Sequence, residues 1–355
     1  MTSLSTKPLA YVRELDGLRA VACLLVMCFH AAPGWLFKGG FIGVDIFFVL
    51  SGYLITCVLM DEYEQRGEIA IGNFYAHRFL RLVPALALFL LCYVIIGSLV
   101  WPGEPHLRDA GMAAAYISDY TYPYWGSPNY IRHTWSLAVE EQFYIVWPFF
   151  LPLIIRYKLA RWALLALWAV VTIYRYSLAD GDWIEYYFPL HTRLSGLLAG
   201  SMLAIAHRKG ILKLNRISSD VALAGLFITA LRANITSSAF TISLAELMSL
   251  ILVGVLVSSS DPSRATILSS KPMVAIGKLS YGLYLWHFPF AYYFRENYSP
   301  VVSTIATISL SMIGATISYF TVEAWGRKFK AQLKKRTGTK YDAELGVNSP
   351  AASPL

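Results

Sequence analysis

Charge is scarce in this chain. Asp, Glu, Lys and Arg together make up 15% of its 355 residues, against about 25% in an ordinary soluble domain. That deficit excludes a water-soluble fold of this size. Cysteine is scarce as well. Cys23, Cys28, Cys57 and Cys92 all lie in apolar runs, and their spacing suits neither a zinc site nor a disulfide framework. They read as small buried hydrophobes, and no metal is expected. Short alternating strands, the mark of an outer-membrane barrel, are missing. So is a cleavable signal peptide: the first apolar segment contains Arg19 and His30 and lacks a small-residue cleavage site, so it reads as a retained helix. The net charge of +8 does not indicate nucleic acid, because the basic residues fall in clusters between apolar segments, as topology signals do.

Hydrophobic residues make up 56% of the chain, and its mean hydropathy is +0.50. Apolar runs of about 20 residues recur from end to end, which predicts an all-α, polytopic membrane bundle of about ten transmembrane helices. They fall near 14–33, 41–60, 82–101, 135–155, 161–178, 190–206, 219–233, 240–258, 273–294 and 301–323. With ten crossings every basic cluster falls on one side, and both termini are cytoplasmic. The seventh segment has a short apolar core, VALAGLFITAL; without it the basic tail would lie outside. Residues 1–326 form the membrane domain, and 327–355 form a basic tail expected to be disordered. The 102–133 connection is rich in Tyr and Trp, as an aromatic belt at a water interface would be, although such rings also stack on sugars. There is no internal repeat and no inverted pair of broken helices of the kind transporters show.

The chemistry-bearing residues stand in or beside these apolar segments. Arg19 and His30 are eleven positions apart, almost a whole number of turns, so they project roughly 20° apart and lie roughly 16 Å apart along the axis. A cation and an imidazole on one stripe of a membrane helix are costly and mark function. They predict an anion held near one water interface and proton chemistry deeper in. Asp45 lies about a turn inside the facing end of the second helix. It either orients His30 or pairs with another helix. Arg78 and Arg81, three apart, share a helix face and form either a phosphate clamp or ordinary membrane anchors. Glu140 and Glu141 are adjacent, so at least one must face the interior; Ser136 and Tyr144 share the face of Glu140. His287, in LSYGLYLWHFP, reads equally as structural or catalytic.

Four of these stretches, in order, resemble the acyltransferase 3 family of polytopic bacterial membrane O-acyltransferases. They are LDGLRA followed nine residues later by His30, GVDIFFVLSGYLIT, RFLRLVPA, and TWSLAVEEQFYIVWP, with the weaker LSYGLYLWHFP and SYFTVE after them. The match covers residues 11 to 326. It departs at EAWGRKF after Glu323, where the family often has proline. The extracytoplasmic hydrolase-like domain carried by some members is not among the residues matched. The resemblance implies a multi-pass protein of the bacterial inner membrane. It implies transfer of an acyl group, most often acetyl from acetyl-CoA, to a hydroxyl of an O-antigen, exopolysaccharide, lipopolysaccharide or other carbohydrate, including lipid-linked glycans. Under it, His30, Asp45 and Glu140 are the catalytic set, Arg19, Arg78 and Arg81 bind the donor, and no metal takes part. His30 acts as general base or as a transient acyl-histidine. A macrolide-like acceptor, a non-enzymatic transporter of an acylated sugar or lipid, and homo-oligomerisation remain open.

Overall fold

The computed structural model describes residues 11–212, 216–234, 238–258 and 267–329. It is all-helical, with no strand among the described residues. The helices are α1 (Arg13–Ala31), α2 (Gly43–Arg66), α3 (Ile71–Val100), α4 (His106–Ala114), α5 (Ser118–Trp125), α6 (Thr134–Arg156) and α7 (Lys158–Ser177), followed by α8 (Trp183–Tyr187), α9 (Leu190–Arg208), α10 (Arg216–Arg232), α11 (Ser238–Ser258), α12 (Lys271–Asn297) and α13 (Pro300–Phe320). A long helix lies over each of the ten apolar segments. The short helices α4 and α5 occupy the aromatic connection. Most of the tail, from 330 onward, lies outside the described residues, while 322–329 continue as helix.

Among the described residues, five helical stretches are long and apolar enough to cross a membrane: Gly40–Arg66, Ile71–Val100, Thr134–Arg156, Ala239–Ser258 and Pro300–Phe329. Helices α1, α9 and α12 do not reach that mark. They carry Arg19 and His30, which are half-buried, and Arg193 and His287, which are buried among neighbouring helices, while Lys278 of α12 is exposed.

Close helix crossings place these polar faces. Gly52 of α2 lies against the Leu197 carbonyl of α9, and Gly200 of α9 against the Val49 carbonyl of α2. Gly277 of α12 meets the Asp16 carbonyl of α1 in the same way. A methyl group at any of the three would collide with backbone. Small residues thus let α1 seat against α12 and α2 against α9. The first crossing aligns α1 and α12 so that His30 reaches His287 across 257 positions of chain. Much of the apolar core lies around α2, α6 and α9, with Phe48, Tyr53, Trp135, Trp147 and Leu197 at its centre.

Candidate active site

His30 stands one residue before the end of α1 and is half-buried. Its Nδ1 lies 3.0 Å from Nε2 of His287, a fully buried residue of α12. The other nitrogen of His287, Nδ1, is 2.7 Å from the Tyr284 carbonyl. A carbonyl can only accept, so His287 carries its proton on Nδ1 and offers a lone pair on Nε2. His30 therefore donates from Nδ1, and its own Nε2 is left with a free lone pair. His287 thus fixes the tautomer of His30 and leaves its Nε2 able to accept a proton, as a carboxylate does for the histidine of hydrolytic triads. A third imidazole, His133, donates from Nε2 to the Leu285 carbonyl at 3.1 Å, and its ring stacks on Phe288.

Asp45 does not orient His30. Both Asp45 and Arg193 of α9 are fully buried, and they pair at 2.6 Å. The Arg193 guanidinium carbon lies 5.0–5.5 Å from the rings of Tyr187, Phe48 and Trp135. The pairing is physically reasonable: an interior carboxylate needs a cation more than it needs a neutral imidazole. A second buried pair, Arg175 with Glu246, is braced by Ser195 and Ser243 on α9 and α11. Arg193 was not picked out from the sequence. The signal was a lone arginine inside an apolar segment, the same reasoning that singled out Arg19.

The adjacent glutamates divide their work. Glu141 accepts from Arg78, with Nη2 at 2.5 Å and Nε at 3.0 Å. The Arg78 guanidinium also lies 3.3 Å over the Tyr144 ring. Glu140 accepts from the Ser51 hydroxyl at 3.1 Å and from Tyr144 at 3.4 Å. Arg78 is thus held by protein. Arg19 and Arg81 make no hydrogen bond or ion pair among the described residues, and Nε of Arg19 is buried without a partner. Arg81 is exposed.

Three spaces meet at these residues. One of about 120 Å³ is lined by Arg19, Ser51, Arg78, Arg81, Glu140 and Tyr281. A larger one of about 400 Å³ opens beside Arg19, Arg81, Lys278 and Arg327. A narrow one of about 50 Å³ runs inward from Arg19 and Glu140 to Ser136 and Tyr284. The Tyr284 hydroxyl is 2.6 Å from that of Ser136, and its ring is 5.2 Å from His287. The structure therefore places Arg19, Arg78, Arg81 and Glu140 around one space, while the narrow inner space ends at Tyr284, and His287 and His30 follow behind that ring without lining any of the three.

The acyltransferase-domain family model matches residues 12–322. The chain belongs to the acyltransferase 3 family. It is 35% identical over 364 residues to the O-acetyltransferase OatA of Staphylococcus aureus strain NCTC 8325 / PS 47, and equally to that of strain MRSA252. Each alignment covers 90% of this chain and 58% of the relative. The chain thus spans a little over half the length of the relatives it matches. No solved structure matches it.

Proposed function

We propose that this acyltransferase is a ten-span inner-membrane O-acetyltransferase with cytoplasmic termini. It carries acetyl from acetyl-CoA on the Arg81 side to a carbohydrate hydroxyl on the His30 side. The reading is supported by a polar space that runs from Arg19 and Arg81, which have no hydrogen-bond or ion-pair partner among the described residues, past Glu140 to Tyr284, with an imidazole pair next to Tyr284 in which His30 keeps a free Nε2. The ~400 Å³ space beside Arg19, Arg81 and Lys278 suits the phosphates of coenzyme A, and Arg78, held by Glu141, lines the adjoining space of about 120 Å³. The thioester arm then threads inward along the roughly 16 Å that separate Arg19 from His30 on one helix.

At the inner end, His30 Nε2 removes the acceptor hydroxyl proton. The oxygen attacks the thioester carbonyl, the C–S bond breaks, and the proton passes from His30 to the departing thiolate. His287 holds His30 in the required tautomer. Glu140 polarises the route between donor and histidine pair. Asp45 holds α2 to α9 through Arg193, and so supports the site from behind. OatA is named as an O-acetyltransferase, which agrees with this chemistry. The test uses the chain reconstituted in liposomes with external acetyl-CoA and lumenal carbohydrate. Wild type should release coenzyme A only when acceptor is present, and His30→Ala should insert normally yet release none. Normal transfer by His30→Ala would remove the assignment.

A further inference from the structure

The His30 end of the bundle carries two guanidiniums that the transfer chemistry does not use. Phe288 lies between them. Its ring centroid is 4.9 Å from that of His30, 5.1 Å from the Arg132 guanidinium carbon and 6.0 Å from that of Arg295. The two cations approach from different elements. Arg132 comes from the turn before α6, and Arg295 from the last turn of α12. They are near enough for their charges to oppose one another.

Neither is neutralised by a buried carboxylate. Arg132 donates to the Tyr122 hydroxyl at 2.9 Å and has no carboxylate partner among the described residues. Arg295 donates to Glu296 at 3.3 Å, and that carboxylate is 59% exposed while Arg295 itself is only 16% exposed. Ordinary membrane anchors extend toward lipid headgroups, whereas these two cations are recessed beside the candidate base. Tyr292 lies 4.5 Å from the Arg295 guanidinium, and its ring is 5.0 Å from Tyr130. Each guanidinium keeps donors beyond the one bond named for it, and two such forks beside aromatic faces form a receptor for a carboxylate on a sugar ring, whose C–H face packs on an aromatic ring.

We propose that Arg132 and Arg295 bind a negatively charged group of the acceptor, so that the substrate is an acidic sugar presented to His30 by its carboxylate. This rests on the transfer reading above, but the site can be tested without turnover. The purified full chain is titrated calorimetrically with trigalacturonate, with the neutral galactotriose of matched size and with glucose 6-phosphate. Trigalacturonate should bind, galactotriose at least tenfold more weakly. Arg132→Gln and Arg295→Gln should each weaken the acid about tenfold, the worth of one charge-assisted contact. Arg132→Lys, which keeps the charge but loses the fork, should fall between. Arg81→Gln, at the other end, should leave trigalacturonate affinity as it is.

Equal affinity for acid and neutral trimers would overturn the proposal. So would binding that Arg81→Gln abolishes and the Arg132 and Arg295 variants leave intact. Tighter binding of glucose 6-phosphate than of trigalacturonate, lost in the same two variants, would keep the anion site and overturn the carboxylate assignment. Competition by phosphatidylglycerol, with no binding of either charged sugar, would make the pair a lipid site and end the proposal. Failure of acetyl transfer in liposomes, with the acid-binding pattern intact, would count against the transfer reading alone.

Discussion

His287 is the residue on which the candidate chemistry turns, and truncating it gives the sharpest test. In His287→Ala, His30 Nδ1 loses the acceptor 3.0 Å away. No solvent replaces it readily, because His287 is fully buried. The loss is that of a buried hydrogen bond, about 1–3 kcal/mol, together with release of the imidazole to its other tautomer. Expressed as a barrier, this is a roughly 5- to 150-fold fall in kcat. The KM for acetyl-CoA should not change, since Arg19, Arg81 and Lys278 lie beyond Tyr284 at the far end of the route. His287→Gln restores an acceptor in nearly the same place and should recover much of the rate. The assay is coenzyme A release by reconstituted protein at varied donor concentration, with thermal unfolding in detergent as a folding control. A fall confined to KM, an unchanged kcat in His287→Ala, or equal defects in the Ala and Gln variants would refute the positioning role.

Arg81 and Arg78 should separate cleanly. Arg81→Gln removes a solvent-facing cation with no hydrogen-bond or ion-pair partner among the described residues, so the KM for acetyl-CoA should rise about tenfold at unchanged unfolding temperature. Arg78→Gln strands Glu141, and it should also cost about 2 kcal/mol of stability, between the exposed and fully buried limits. Asp45→Leu leaves Arg193 buried and unpaired and should destabilise by about 3–5 kcal/mol. The double variant Asp45→Leu/Arg193→Leu should regain most of that, as read by denaturant unfolding in detergent; a double variant as unstable as the single would refute the pairing. Asp119, in the connection between α3 and α6, accepts from Gln142 at 2.9 Å and from the Leu190 amide at 3.3 Å. Burial raises its carboxyl to about 6, against those bonds, which lower it. The folded chain thus holds this proton more tightly than the unfolded chain. The stabilisation is complete below about pH 4 and is lost as pH rises through 6, by at most about 3 kcal/mol. Asp119→Asn should flatten that slope in protease-protection profiles; an unchanged slope would refute it.

Periodicity carried much of the fold. Runs of about 20 apolar residues placed the long helices, and the eleven-residue interval placed Arg19 and His30 toward one side of α1. Local spacing also raised the question of Glu140 and Glu141 without answering it. The answer depends on Arg78, 63 positions away in the chain, which takes Glu141 and leaves Glu140 to face the inner space. The same limit explains Asp45. A short loop puts it at a depth similar to His30, but depth does not determine direction around the helix axis, and the deciding partner is Arg193, 148 positions on. His287 could be seen as an interior imidazole but not as the partner of His30, because that pairing depends on how closely α1 and α12 approach. Gly277 against the Asp16 carbonyl sets that approach, and nothing in either local sequence says the two will meet. Residue type and period therefore show which side chains must be paid for inside a membrane protein. Which partner satisfies each one is decided by helix crossings, and the chemistry follows from the partner: a carboxylate committed to a guanidinium is structural, whereas an imidazole whose neighbour only accepts is left with a lone pair to use.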